Sequence, residues 1–188
     1  MAAEDVASIL RVPASLIWNP TNLGAPATNY GGTVLGISRE KEFTPQPVLR
    51  PIWNETAGAY KDVIYCGERV LFRAVLRYPD SDAVTAIMPR SIASGSSGVH
   101  WLFRPEGTTS NTRAGTSLGT MSGVLLVAAR ARVDHPMLLI YNAIPSIDES
   151  LKLQWSLGKE FGLAVAFWGT PSSNGRCYDC GRRANLAL

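Results

Sequence analysis

The stretch from Gly67 to Val84, GERVLFRAVLRYPDSDAV, most constrains what this chain can fold into. Taken with a period of two, Val70, Phe72, Ala74, Leu76 and Tyr78 fall on one face. Arg69, Leu71, Arg73, Val75 and Arg77 fall on the other. An apolar face backed by three arginines is the pattern of a strand with one side on a core. The arginines at 69, 73 and 77 also share a helical face. The strand is favoured, because the run is short, rich in Val, Leu, Phe and Tyr, and opens on a turn centred at Gly67. It stops at Pro79. Asp80 then caps a predicted short helix, Asp80–Met88, closed by Pro89.

The 17 glycines and 12 prolines are scattered along the chain, and long helical periodicities are hard to find. The expected fold is mostly β: a β-sandwich or partly closed barrel of two packed sheets with one short flanking helix. A length of 188 residues suffices for one core, so a single domain over 1–188 is expected. Residues 1–12 would form an N-terminal arm and 182–188 a C-terminal tail. The net charge of +3 is too weak and too dispersed to argue by itself for a nucleic-acid-binding surface. No apolar run reaches the ~18 residues of a membrane span. Met1–Ser8 carries two acids and no basic start, so no secretory signal is read there, and synthesis in the cytoplasm is expected.

The predicted strands are Leu16–Trp18, Gly32–Ser38 with Arg39–Val48 as its hairpin partner, and Asp62–Cys66 folding back on Arg69–Tyr78. Val99–Phe103, Gly123–Arg130 and Pro136–Tyr141 follow, the last stopped by Asn142–Pro145. Glu149–Leu157, Phe161–Trp168 and Arg176–Gly181 complete the set. Arg90–Gly98 and Arg104–Ser122 are polar loops, and a structureless stretch as long as the second is uncommon and often functional. Arg50–Lys61, RPIWNETAGAYK, is a loop of another kind: Trp53 and Tyr60 flank Asn54, Glu55, Thr56 and Gly58. Such aromatics either tuck into the fold or are offered to a partner, and the sequence favours tucking.

Chemistry is sparse. Cys177-Tyr178-Asp179-Cys180 has C-x-x-C spacing but lies inside a predicted strand, away from the helix N-terminus that would lower a thiol pKa. With Cys66 and a histidine it could complete a zinc site, so a zinc-binding or redox module on Cys66, Cys177 and Cys180 stands as the alternative. His100 and His135 have no nucleophile at a motif spacing. Asp80 with Asp82, and Asp148 with Glu149, fit caps and turns. No phosphate-binding glycine motif is present. No catalytic, cofactor or metal residue is assigned.

Several phrases taken together carry a resemblance. They are Gly32–Ile37, Gly58-Ala59, Gly67–Arg77 followed by Asp80-Ser81-Asp82-Ala83, then His135–Pro145, Phe167, Thr170-Pro171 and Gly175-Arg176-Cys177-Tyr178. Over roughly Gly31–Gly181 the chain resembles the tail tube (major tail) proteins of long-tailed bacteriophages. The resemblance implies a structural virion protein, not an enzyme, without cofactors. Its subunits would form hexameric rings that stack into a hollow conduit for the genome. Its partners would be itself and the tape measure, terminator and distal tail proteins, with DNA passing through unbound and no membrane involved. Arg50–Lys61, with Trp53, Asn54, Glu55 and Tyr60, would bridge rings, and Asp80–Met88 would be the flanking helix. A tail terminator or other ring or connector component is the nearest alternative. Arg104–Ser122 departs from the family plan. A conduit should not grip phosphates, so Arg69, Arg73 and Arg77 are not all expected to line the bore.

Overall fold

Val70, Phe72, Ala74 and Leu76 are buried, while Arg69 and Arg73 are exposed, as the alternation requires. They belong to the wall of a barrel in a computed structural model that describes residues 11–23, 30–54, 56, 58–77, 86–87, 91–94, 100–103, 117–130, 135–146, 162–182, 186 and 188. The described strands are β1 (Ala14–Trp18), β2 (Thr33–Asn54), β3 (Ala59–Arg77), β4 (Ser91–Ser94), β5 (His100–Phe103), β6 (Gly123–Ala129), β7 (Met137–Ser146), β8 (Gly162–Thr170) and β9 (Tyr178–Gly181).

All described pairings are antiparallel. The main sheet runs β6-β1-β2-β3-β8-β7, and β6 also pairs with β7, so the wall closes on itself. Ala143 shows how: it faces Gly123 of β6 across one edge of β7 and Gly169 of β8 across the other. β9 joins the β8 side of β7, opposite Met137–Ile140. The barrel of the sequence reading is therefore formed by one sheet curled round, with β4 and β5 as a small separate pair. Closure removes the open edges that threaten a β protein.

The interior holds Leu16, Leu35, Phe72, Leu125, Ile140 and Phe167 among its largest buried side chains. Phe167 lies 5.8 Å from Trp18 and 6.4 Å from Phe72, measured between ring centres. A second buried cluster lies outside the wall. Ile17, Leu126, Met137 and Leu139 alternate with interior residues and are covered by Leu23, Tyr30 and Leu186. Strands β1, β6 and β7 are thus apolar on both faces, as their near-continuous hydrophobic runs require.

Several expectations are corrected. Arg39–Val48 does not turn back on Gly32–Ser38; both lie in the single strand β2. Asp62–Cys66 does not fold onto Arg69–Tyr78 but runs straight into it and pairs with Leu49–Ile52. Gly67 is a bulge, not a turn; its φ of +128° is open to glycine and strained for other residues. Asn142–Pro145 does not stop β7. Ser91–Ser94, read as loop, is a strand paired with His100–Phe103. Of the predicted helix, Ala86 and Ile87 are described; both are helical, and Ile87 is buried in the core. The rest of that helix, Glu149–Leu157, and Arg104–Thr116 lie outside the described residues.

Where β2 leaves β1, Lys41 ties β2 to the chain just ahead of β1. Its Nζ donates to the carbonyls of Val12 at 2.6 Å and Ser38 at 3.2 Å. Burial lowers its pKa from 10.5 to about 8. The unfolded chain then binds the proton more tightly than the folded one, so the half-buried charge weakens the fold at low pH and the penalty is relieved as pH rises from 8 to 10.5. Relative to a Lys41→Met variant, wild-type stability in urea is expected to rise across that window. The comparison removes Cys177, Tyr141 and Tyr178, whose raised pKa values act in the opposite sense. A pH-independent difference between the two proteins contradicts the assignment.

Candidate functional site

Strands β2 and β3 outrun their neighbours. β1 pairs with β2 only over Thr33–Ser38, and β8 with β3 only over Val70–Arg77, yet the β2–β3 ladder continues to Asn54 and Ala59. The excess is a two-stranded arm that leaves the barrel and extends about 30 Å beyond Thr44 at ~3.3 Å per residue. Its tip is an Asn54–Gly58 turn. The Gly58 N–H donates to the Asn54 carbonyl at 3.0 Å, and the Thr56 N–H to the Asn54 Oδ1 at 3.1 Å. Gly58 has φ +61° there.

Residues opposite one another in an antiparallel ladder share a face. Leu49 faces Tyr65, Pro51 faces Val63, and Trp53 faces Tyr60. From Leu49–Tyr65 to Trp53–Tyr60 one face of the arm is therefore wholly apolar; nearer the barrel the same face carries Glu68 opposite Pro47. It continues the barrel's interior surface, through the pairs Phe43–Phe72 and Pro45–Val70. The other face is mixed, with Arg50 opposite Ile64 and Ile52 opposite Asp62. Leu49 is 55% exposed, Trp53 57%, Tyr60 61%, Val63 50% and Tyr65 60%. The Trp53 and Tyr60 rings pack on each other at 4.3 Å. Two register shifts create this face. Without the bulge at Gly67, Cys66 and Ile64 would take the places of Tyr65 and Val63; a second shift beside Trp53 returns Tyr60 to the face.

A lone hairpin is marginal in water, so its base matters. Phe43 meets Tyr178 edge-on at 4.9 Å. The Tyr178 hydroxyl donates to Glu68 Oε1 at 3.4 Å, and the Cys177 thiol donates to the Glu68 carbonyl at 3.5 Å. Beyond them the Tyr141 hydroxyl donates to Asp179 Oδ2 at 2.5 Å. Arg73 and Glu42 approach to 3.6 Å, but both are exposed and the pair adds little.

The structure places the sequence candidates on this arm but corrects their setting. Arg50–Lys61 is a hairpin end, not a free loop, and Trp53 and Tyr60 are offered to solvent, not tucked in. Asn54 shapes the turn. Glu55 lies outside the described residues. Sequence reasoning missed Leu49, Pro51, Val63 and Tyr65. Their signal was the alternation Leu49, Pro51, Trp53, visible once the turn is set at Asn54–Gly58.

The thiols are divided between surface and core. Cys66 is exposed, while Cys177 and Cys180 are buried. Burial, then the Glu68 carboxylate, pushes the Cys177 thiol pKa up, opposite to what thiolate chemistry needs. Among the described residues no three His, Cys, Asp or Glu side chains come together to hold a metal. No described helix is long and apolar enough to cross a membrane. The sequence matches no family model and no curated protein.

What the arm supplies is surface. Three aromatics, each able to bury roughly 150–250 Å², sit in one stripe with two aliphatic residues and a proline. Exposed apolar stripes of several hundred Å² mark sites of association.

Proposed function

We propose that this protein is a structural, self-assembling subunit of the phage tail-tube type, whose rings stack through the β2–β3 arm. The observation that carries the reading is the arm itself: a braced hairpin that presents the barrel's apolar inner face to solvent, with Trp53 and Tyr60 at its end. It occupies the stretch in which the resemblance implies the ring-bridging element. A closed barrel gives a rigid body, and a head-to-tail contact repeated between rigid bodies gives a tube. On this reading the protein works in the virion tail, with other tail proteins at the tube's ends and in its bore.

Electron microscopy of the purified full chain, over a concentration series, tests this. Hollow tubes of stacked rings are expected. Single rings that never stack favour a terminator role. A protein that stays monomeric or dimeric at high concentration overturns the reading.

A further inference from the structure

The arm has two edges, and they differ. On β2, Pro45, Pro47 and Pro51 stand at alternate positions. Residues two apart direct their backbone N–H to the same edge. A proline has no N–H to donate to β3, so these positions face the outer edge of β2, which lacks donors there. Prolines of this kind block strand addition. On β3 the matching outer edge is open from the tip to Gly67, up to the Glu68 carbonyl that accepts from the Cys177 thiol. Ala59–Arg69 contains no proline, and among the described residues it pairs with no strand other than β2. Val63 and Tyr65, opposite Pro51 and Leu49, direct their N–H groups outward. The Val63 N–H meets only the carboxylate of its neighbour, Asp62 Oδ1, at 2.7 Å.

We infer that the open β3 edge of the arm pairs antiparallel with the β3 edge of a second copy, so that two arms join into one four-stranded sheet. Three observations select that occupant. β3 with β3 is the one arm-to-arm union the prolines permit, and its product is β2-β3-β3-β2, blocked on both outer edges. Four strands with a shared apolar face escape the marginal stability of a lone hairpin. Antiparallel pairing also sets the tip of one β3, with Lys61 and Asp62, against the base of the other, with Glu68 and Arg69, so each end meets both signs of charge. The pairing uses the arm's edge and leaves its apolar face free, so it goes beyond the tube reading: it is the state of the dilute subunit.

The test is sedimentation velocity of the full chain in dilute solution. The wild type is expected to dimerise. Val63→Pro, which removes one outward donor, is expected to raise the dissociation constant about tenfold or more. Pro45, Pro47 and Pro51 changed together to alanine are expected to give larger, open-ended species. Because Val63→Pro can disturb the arm, amide exchange on the wild type gives a second measurement. The Tyr65 amide is expected to slow with rising concentration, while Leu49 and Trp53 on the β2 edge do not. A monomeric wild type, a Val63→Pro dimer of unchanged affinity, or equal slowing on both edges overturns the pairing. A dimer that forms but never yields tubes leaves the pairing intact and overturns the tube reading alone.

Discussion

A double variant, Trp53→Ala with Tyr60→Ala, is expected to stay folded and to lose tube assembly altogether. Both side chains are more exposed than buried, and their rings pack on each other. Truncating such a pair at the end of a hairpin costs the fold no more than about 1 kcal/mol. The cost to a contact they anchor is of another order. Buried aromatic anchors are worth about 2 kcal/mol or more each, and a tube repeats the contact at every subunit. Urea midpoints should match the wild type within that small margin, while light scattering at tube-forming concentrations falls to the level of the free subunit. Tubes of normal length from the double variant refute the role given to the arm.

Phe167→Ala should do the reverse. Phe167 is fully buried and stacks between Trp18 and Phe72, joining β1, β3 and β8 across the barrel. Removing a buried phenylalanine costs about 3–5 kcal/mol, from lost burial and the cavity left behind. That is a large part of the 5–15 kcal/mol typical of a domain. The next residue provides the contrast. Trp168 is 48% exposed on the outer face of the same strand, and Trp168→Ala should cost far less. Urea unfolding of the two variants decides the matter; similar losses from both contradict the assignment of inside and outside.

Why was the inner half of β3 plain from the sequence and the outer half not? From Val70 to Leu76 the alternation is unbroken, because a single core lies on one side. Toward the tip, two bulges each reset the phase, so no single period runs through Ala59–Gly67. β2 misled for another reason. Proline is excluded from paired edges, and only the pairing reveals that Pro45, Pro47 and Pro51 face outward and let one strand run through Thr33–Asn54. Closure of the barrel was beyond local pattern altogether. It rests on pairs such as Leu16 with Val127 and Leu126 with Leu139, which depend on where distant strands come to lie. The sequence singles out Trp53 and Tyr60, but their exposure is not legible there. Whether an aromatic is covered is decided by what packs on it, and that is not written beside it in the chain.

The foot of the hairpin is held from far along the polypeptide. Phe43 and Glu68 lie at the base of the arm, whereas Tyr178 and Cys177 come from β9 and its approach. That strand is fastened in turn to β7 by its ladder and by Tyr141 gripping Asp179. A load applied at Trp53 is therefore not carried by a bare pair of strands. It swings about a fulcrum at Tyr178 and passes into the barrel on the side away from β2.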